Sequence, residues 1–135
     1  MRVVSDSHAL LFYLLTPGQL SERALDALQE AEDDEGIVVS TATLGDLWYA
    51  SHKQGRHALT PGAFELVRQT VLDPSTRFDV VPIEPAMMPE FERVPLEDLG
   101  DPFDRFILAT AAHMNLSLVT KDRAITSSGV VDVIW

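Results

Sequence analysis

Four aspartates hold the side chains of this sequence best placed to do chemistry: Asp6, Asp46, Asp104 and Asp122. Asp6 follows the apolar run Val3-Val4-Ser5 directly, and Asp122 follows Leu118-Val119-Thr120-Lys121. Asp104 stands three residues after Asp101 in Gly100-Asp101-Pro102-Phe103-Asp104, and Asp46 lies in Leu44-Gly45-Asp46-Leu47-Trp48. The chain has no cysteine, and His8, His52, His57 and His113 share no ligand spacing. The donor set is therefore hard carboxylate oxygen, which suits Mg²⁺ or Mn²⁺. Two such ions about 3.5–4 Å apart can activate a water and stabilise the leaving oxygen in phosphodiester cleavage. Carboxylates held close together repel, so the folded state needs a shared cation or proton there.

Each aspartate also has a plainer role. Asp6 and Asp122 are turn residues after strands. Asp101 is a natural N-cap, and Asp104 its partner in the first turn. Asp46 is a poor helix former and could simply face water. Their joint placement weighs more than any one of them.

That placement depends on the elements around them. Arg2–Ser5 reads as a strand and His8–Leu15 as a helix, ended by Thr16-Pro17-Gly18. Ser21 caps a second helix with Ala24, Leu25, Leu28 and Ala31 at helical spacing, and Gly36 stops the segment. Ile37–Ser40 reads as a strand, Thr41–Lys53 as a helix carrying Leu44, Leu47 and Trp48 on one stripe, and Pro61–Leu72 as a further helix. Arg77–Ile83 is a third strand, with Pro82 near an edge or its end. Pro85–Arg93 reads as a short helix, and the weakly patterned stretch Ile83–Gly100 as a rim or lid. Pro102 opens an almost wholly apolar helix, followed by strand Leu116–Val119. Thr120–Ser128 reads as a loop or one helical turn, and Val130–Ile134 as the last strand.

Strands alternating with helices predict a mostly parallel sheet of about five short strands between two helical layers, an α/β fold. All strand C-termini then lie at one edge. Asp6, Asp46, Asp104 and Asp122 converge on that edge, where open sheets of this kind bind ligands.

The 135 residues predict one domain, residues 1–135, and 46% hydrophobic residues predict a packed core. No apolar run approaches the roughly 18–20 residues of a membrane span. Met1-Arg2-Val3-Val4 enters a strand pattern at once. A soluble cytoplasmic protein is the expectation. The net charge of −11 argues against broad electrostatic adhesion to nucleic acid. It does not exclude a nuclease, because bound dications would reverse the local field.

These segments resemble the PIN-domain ribonucleases, specifically VapC-type toxins of VapBC toxin–antitoxin pairs. Val3-Val4-Ser5-Asp6-Ser7-His8-Ala9-Leu10-Leu11 is similar to the family's opening strand, Asp and helix start. Ser40–Trp48 resembles its Ser-x-x-Ser-Leu-x-Glu segment, and Leu118-Val119-Thr120-Lys121-Asp122 its last motif. Asp101-Pro102-Phe103-Asp104-Arg105 with Ile107-Leu108-Ala109 is the most specific match. The resemblance implies a PIN-like α/β/α domain and Mg²⁺- or Mn²⁺-dependent RNA cleavage. Asp6, Asp46, Asp104 and Asp122 would be catalytic, with Asp6, Asp104 and Asp122 on the metal and Asp101 the alternative to Asp104. Thr120 or Ser7 would support the acids by hydrogen bonds, and Thr120 is placed with Lys121 on the substrate side. A homodimer and an antitoxin that blocks the crevice are also implied. Asp46 stands where the family usually has Glu, and Ser7 where Thr is usual.

Among the other residues, Arg105, Lys121 and Arg123 flank the acids and could position phosphate. Phe12, Tyr13 and Trp48 read as core or subunit contacts. The apolar run Leu10–Leu14 reads as a subunit or antitoxin interface. Two alternatives remain. One is a catalytically weakened PIN-like binding module, favoured by Asp46. The other is a receiver- or phosphatase-type α/β domain, disfavoured because the third strand ends Pro82-Ile83-Glu84 without an Asp.

Overall fold

Five short strands, rich in Val, pair into one sheet in the order β3-β2-β1-β4-β5, every pairing parallel. The structure is a computed structural model describing residues 1–55 and 59–135; His57 lies outside the described residues. The strands are β1 (Val3–Ser5), β2 (Ile37–Ser40), β3 (Phe78–Val81), β4 (Ser117–Val119) and β5 (Val133–Ile134). The helices are α1 (Ser7–Leu15), α2 (Glu22–Asp33), α3 (Thr41–His52), α4 (Pro61–Leu72), α5 (Met88–Phe91), α6 (Pro102–Met114) and α7 (Arg123–Ser128). Parallel strands need long return connections, and the helices supply them.

The period of two along each strand divides the core. Val3, Ile37, Val39 and Val119 join Leu10 of α1, Leu28 of α2 and Val67 of α4 in one buried cluster. Val4, Val38 and Leu118, one residue out of step, join Ile107 and Leu108 of α6 and Ile125 of α7 in the other. The result is the predicted three-layer α/β/α arrangement. Both faces of the central strands are buried, which is why they read as continuous apolar runs. Helix α3 contributes Leu47 to one cluster and Ala42 to the other. Among the described residues no helix is long and apolar enough to cross a membrane.

Several elements are shorter than their sequence patterns. Strand β3 ends at Val81, just before Pro82, whose missing N–H cannot continue a ladder. The last strand holds only Val133 and Ile134, and Pro85–Arg93 splits into a 3-10 turn over Pro85–Met87 followed by α5. Thr120–Ser128 contains a six-residue helix, α7, capped by Asp122.

The stretch 83–100 is anchored to α6. Arg105 of α6 is buried and donates to the carbonyls of Phe91 at 2.7 Å, Val94 at 2.6 Å and Leu99 at 2.6 Å. Val94 and Leu99 are themselves part of the core. This also corrects the phosphate-positioning role for Arg105: its guanidinium is committed to backbone acceptors. Trp48 is 48% exposed rather than in the core, with its ring against that of His52.

Candidate active site

Strand order places the site. From β1 the chain builds outward through β2 and β3, then crosses to β4 and β5 on the other side. The C-terminal ends of β1 and β4 therefore flank the point where the order reverses, a crevice that open α/β sheets use for ligands. Asp6 leaves β1 there, and Asp122 follows the end of β4 by three residues.

Asp6 caps α1, one carboxylate oxygen accepting from the Ala9 N–H at 2.8 Å. Its other oxygen accepts from the Thr120 hydroxyl. Asp6 is buried, and that burial pushes its carboxyl up. The hydrogen bonds from Thr120 and Ala9 and the nearby His8 oppose the rise, and Asp122 adds to it. Thr120 is fully buried and also accepts from the Asp122 N–H at 3.0 Å. Its hydroxyl thus ties Asp6 to the β4 exit. That corrects its placement on the substrate side: Thr120 positions Asp6 and has no surface to offer a ligand. Asp122 caps α7 through the Ile125 N–H at 2.9 Å.

Helices α3 and α6 bring in the remaining acids. They approach closely at Gly45, where a Cβ would lie 3.2 Å from Cε1 of Phe103. This sets Asp46, one residue on, across from Asp104. Asp101 caps α6, accepting from the N–H groups of Phe103 at 2.8 Å and Asp104 at 3.0 Å. Asp104 is half-buried, and no hydrogen bond among the described residues reaches its carboxylate. Burial, then the charges of Asp101, Asp122, Asp46 and Asp6, push its carboxyl up to about 7. The two candidates at this position therefore differ: Asp101 is exposed and occupied as a cap, and Asp104 is aligned with its neighbours but unpartnered.

Asp6, Asp46, Asp101, Asp104 and Asp122 line one cleft of about 330 Å³ together with His8, Lys53 and Lys121. The four predicted aspartates are thus brought together at one edge. They are not drawn into a single coordination sphere: among the described residues no group of three or more His, Cys, Asp or Glu could hold one metal ion. The donors fit a hard dication by type and charge, with one oxygen each of Asp6, Asp101 and Asp122 turned to backbone N–H groups. Ser7, expected to help by hydrogen bonding, has a buried hydroxyl with no partner among the described residues. Lys121 is exposed, its ammonium 4.9 Å from the Phe12 ring centroid. Lys53 was missed from sequence. Its signal was the spacing from Asp46, seven residues or about two turns along the same helix face.

The sequence matches the PIN domain family over residues 3–128, and the chain belongs to that family. Among curated proteins, Ribonuclease VapC22 of Mycobacterium tuberculosis (strain ATCC 25618 / H37Rv) is 32% identical over 125 residues, covering 93% of this chain and 90% of that protein. The chain is thereby homologous to the VapC toxins of VapBC toxin–antitoxin systems. Solved structures share the fold. The structure of VapBC2 from Rickettsia felis, bound to a DNA fragment from its promoter, matches with a TM-score of 0.71 at 15% identity, over 98% of this chain and 97% of that one. VapBC-5 from Mycobacterium tuberculosis matches with a TM-score of 0.63 at 16% identity, over 98% and 96% of the two chains.

Proposed function

We propose that this protein is a Mg²⁺- or Mn²⁺-dependent endoribonuclease and the toxin of a toxin–antitoxin pair. The observation that carries the reading is the half-buried Asp104, without a protein donor, set among four other carboxylates in one cleft. A fold gains nothing from that arrangement unless something positive is bound in it. Homology to a named ribonuclease supports the reaction class.

In this reading Asp6, Asp104 and Asp122 would hold the cation, with Asp46 beside them in the cleft. When bound, such an ion would supply an activated water and offset charge developing on the phosphate. Thr120 fixes the Asp6 carboxylate, and Lys121 steadies a phosphate of the RNA at the cleft mouth. The partners are a small antitoxin protein and a second copy of this chain. Exposed Trp48, Tyr49 and Leu66 on α3 and α4 are suited to such a contact. The enzyme would act in the cytoplasm, where its RNA is found.

The test is incubation of a labelled RNA pool with Mg²⁺, using wild type, Asp6→Asn and Asp104→Asn. Wild type should cleave, and both variants should lose at least about a hundredfold in rate, the scale of losing a group that stabilises transition-state charge. RNA patterns that match across the three proteins would refute the enzyme. A second reading, a PIN-like module that acts only by binding its antitoxin, is favoured by Asp46, which stands where the family usually has Glu. It predicts tight antitoxin binding with no cleavage by wild type.

A further inference from the structure

Helix α3 carries a glycine that its backbone does not require. Gly45 lies inside α3, and the glycines with positive φ are Gly36, Gly55 and Gly129 instead. Alanine would form this helix better, because glycine gives up more chain freedom on folding. What Gly45 provides is room. A Cβ there would stand 3.2 Å from Cε1 and 3.9 Å from Cδ1 of Phe103. The Phe103 ring also packs against Tyr49, with 5.6 Å between ring centroids. Tyr49 is four residues after Gly45, on the same face of α3. The ring from α6 thus sits in a notch on α3, with Gly45 as its floor and Tyr49 as one wall.

On each helix the next residue is a cleft acid. Asp46 follows Gly45, Asp104 follows Phe103, and both line the carboxylate cleft. Asp6, Asp101 and Asp122 are held in place by their caps. No hydrogen bond among the described residues holds the carboxylates of Asp46 and Asp104, so the span between these two follows the approach of α3 to α6. Carbon atoms in ordinary contact lie about 3.5–4.0 Å apart, so a methyl on residue 45 would push Phe103 away by about 0.3 Å or more. With Tyr49 closing one side of the notch, the ring has little room to slide along α3. A shift of that size exceeds the roughly 0.2 Å tolerance of metal–ligand distances. It also matches the difference between the two common hard dications, whose oxygens lie at about 2.0–2.1 Å for Mg²⁺ and about 2.3–2.6 Å for Ca²⁺.

We propose that Gly45 is a positioning residue that sets which dication the cleft selects. By seating Phe103 against the α3 backbone, it holds the short side chain of Asp46 close enough to Asp104 to favour the smaller Mg²⁺ over Ca²⁺. Phe103 is the other half of the device, and the weaker helix former is kept at residue 45 because alanine would widen the cleft. The inference rests on the metal-dependent reading above, but its test reads ion binding rather than cleavage.

Dissociation constants for MgCl₂ and CaCl₂ are read from the dependence of melting temperature on ion concentration at about pH 8. Melting in EDTA checks that each full-length variant folds. Wild type should bind Mg²⁺ more tightly than Ca²⁺. Gly45→Ala should lose about tenfold in Mg²⁺ affinity, the lower end of what is lost with groups that orient metal ligands, and little in Ca²⁺ affinity. Adding Phe103→Leu to Gly45→Ala should restore the preference by withdrawing the ring edge. Adding Asp46→Glu instead should restore Mg²⁺ binding by reach, a rescue that a purely structural glycine would not give. Phe103→Trp overfills the notch from α6 with the glycine intact and should narrow the preference in the same way, which tests the contact even where Gly45→Ala does not fold. A Gly45→Ala protein with the ion preference of wild type would overturn the inference alone. So would equal losses for both ions that neither second substitution recovers, or a wild type that prefers Ca²⁺. A wild type that binds neither ion would overturn the metal-dependent reading, and the inference with it.

Discussion

Replacing Asp104 by Asn should make the metal-free protein more stable at alkaline pH and leave it unchanged in acid. The Asp104 carboxyl is pushed from its ordinary 3.8 to about 7. Between those values the folded protein keeps a proton that the unfolded chain releases. Stability is therefore highest below about pH 4, where both states are protonated, and falls as the pH rises to about 7. Above that the loss is constant. A rise of about three pH units corresponds to about 4 kcal/mol at 1.36 kcal/mol per unit. Asp104 is only half-buried, and water screens part of the repulsion, which leaves about 2 kcal/mol. Asn keeps the shape and cannot ionise.

Urea denaturation in EDTA, at about pH 4 and about pH 8, reads the difference directly. The variant should match wild type at the lower pH and gain about 2 kcal/mol at the higher, with an unchanged dependence on urea. Asp101→Asn is the control. Its exposed carboxylate caps α6 and Asn caps about as well, so this variant should gain less than Asp104→Asn at the higher pH. An Asp104→Asn protein no more stable than wild type at about pH 8 would refute the idea that the fold forces uncompensated charge into this cleft.

Three further outcomes follow from the same geometry. Arg105→Met should leave three carbonyls without donors, two of them buried, and cost about 3–5 kcal/mol; calorimetry should show Tm falling by about 10 °C or more. Thr120→Val should deprive Asp6 of its hydroxyl donor at a cost of about 1–2 kcal/mol, and NMR titration should show the Asp6 carboxyl raised further. Mn²⁺ should raise the Tm of wild type through linkage and more so above about pH 7, where protons no longer compete. Thermal shift should show no such rise in Asp6→Asn.

The layers and the shared C-terminal edge of the sheet were legible because the patterns are strong. Val3-Val4, Ile37-Val38-Val39 and Leu118-Val119 are buried on both sides and read as such. Caps such as Ser21 and Asp101 marked helix starts correctly, because a side chain bonding to a backbone N–H within three residues is a local event. What failed was non-local. Arg105 looked free to position phosphate beside the acids because nothing nearby in sequence reveals that Phe91, Val94 and Leu99 turn their carbonyls toward it. The stretch 83–100 looked loose for the same reason, since its order comes from α6 rather than from its own pattern. Thr120 does support an acid as the resemblance implied, through its bond to Asp6 at the other end of the chain, but nothing local in the sequence shows the burial that takes it off the substrate side.

The structural roles of the acids narrow the functional claim rather than replace it. Asp6, Asp101 and Asp122 each cap a helix, so their presence at strand and loop exits follows from capping alone. A cap uses one carboxylate oxygen; the Thr120 bond to the second oxygen of Asp6 goes beyond that need. Asp46 and Asp104 cap nothing, and no hydrogen bond among the described residues holds their carboxylates. Each sits half-buried at the cleft, and the charge of Asp46 adds to the repulsion on Asp104. A structure under selection for stability alone would lose these two first. The case for chemistry at this edge therefore stands on Asp46 and Asp104, and the capping aspartates supply the frame in which those two acquire a function.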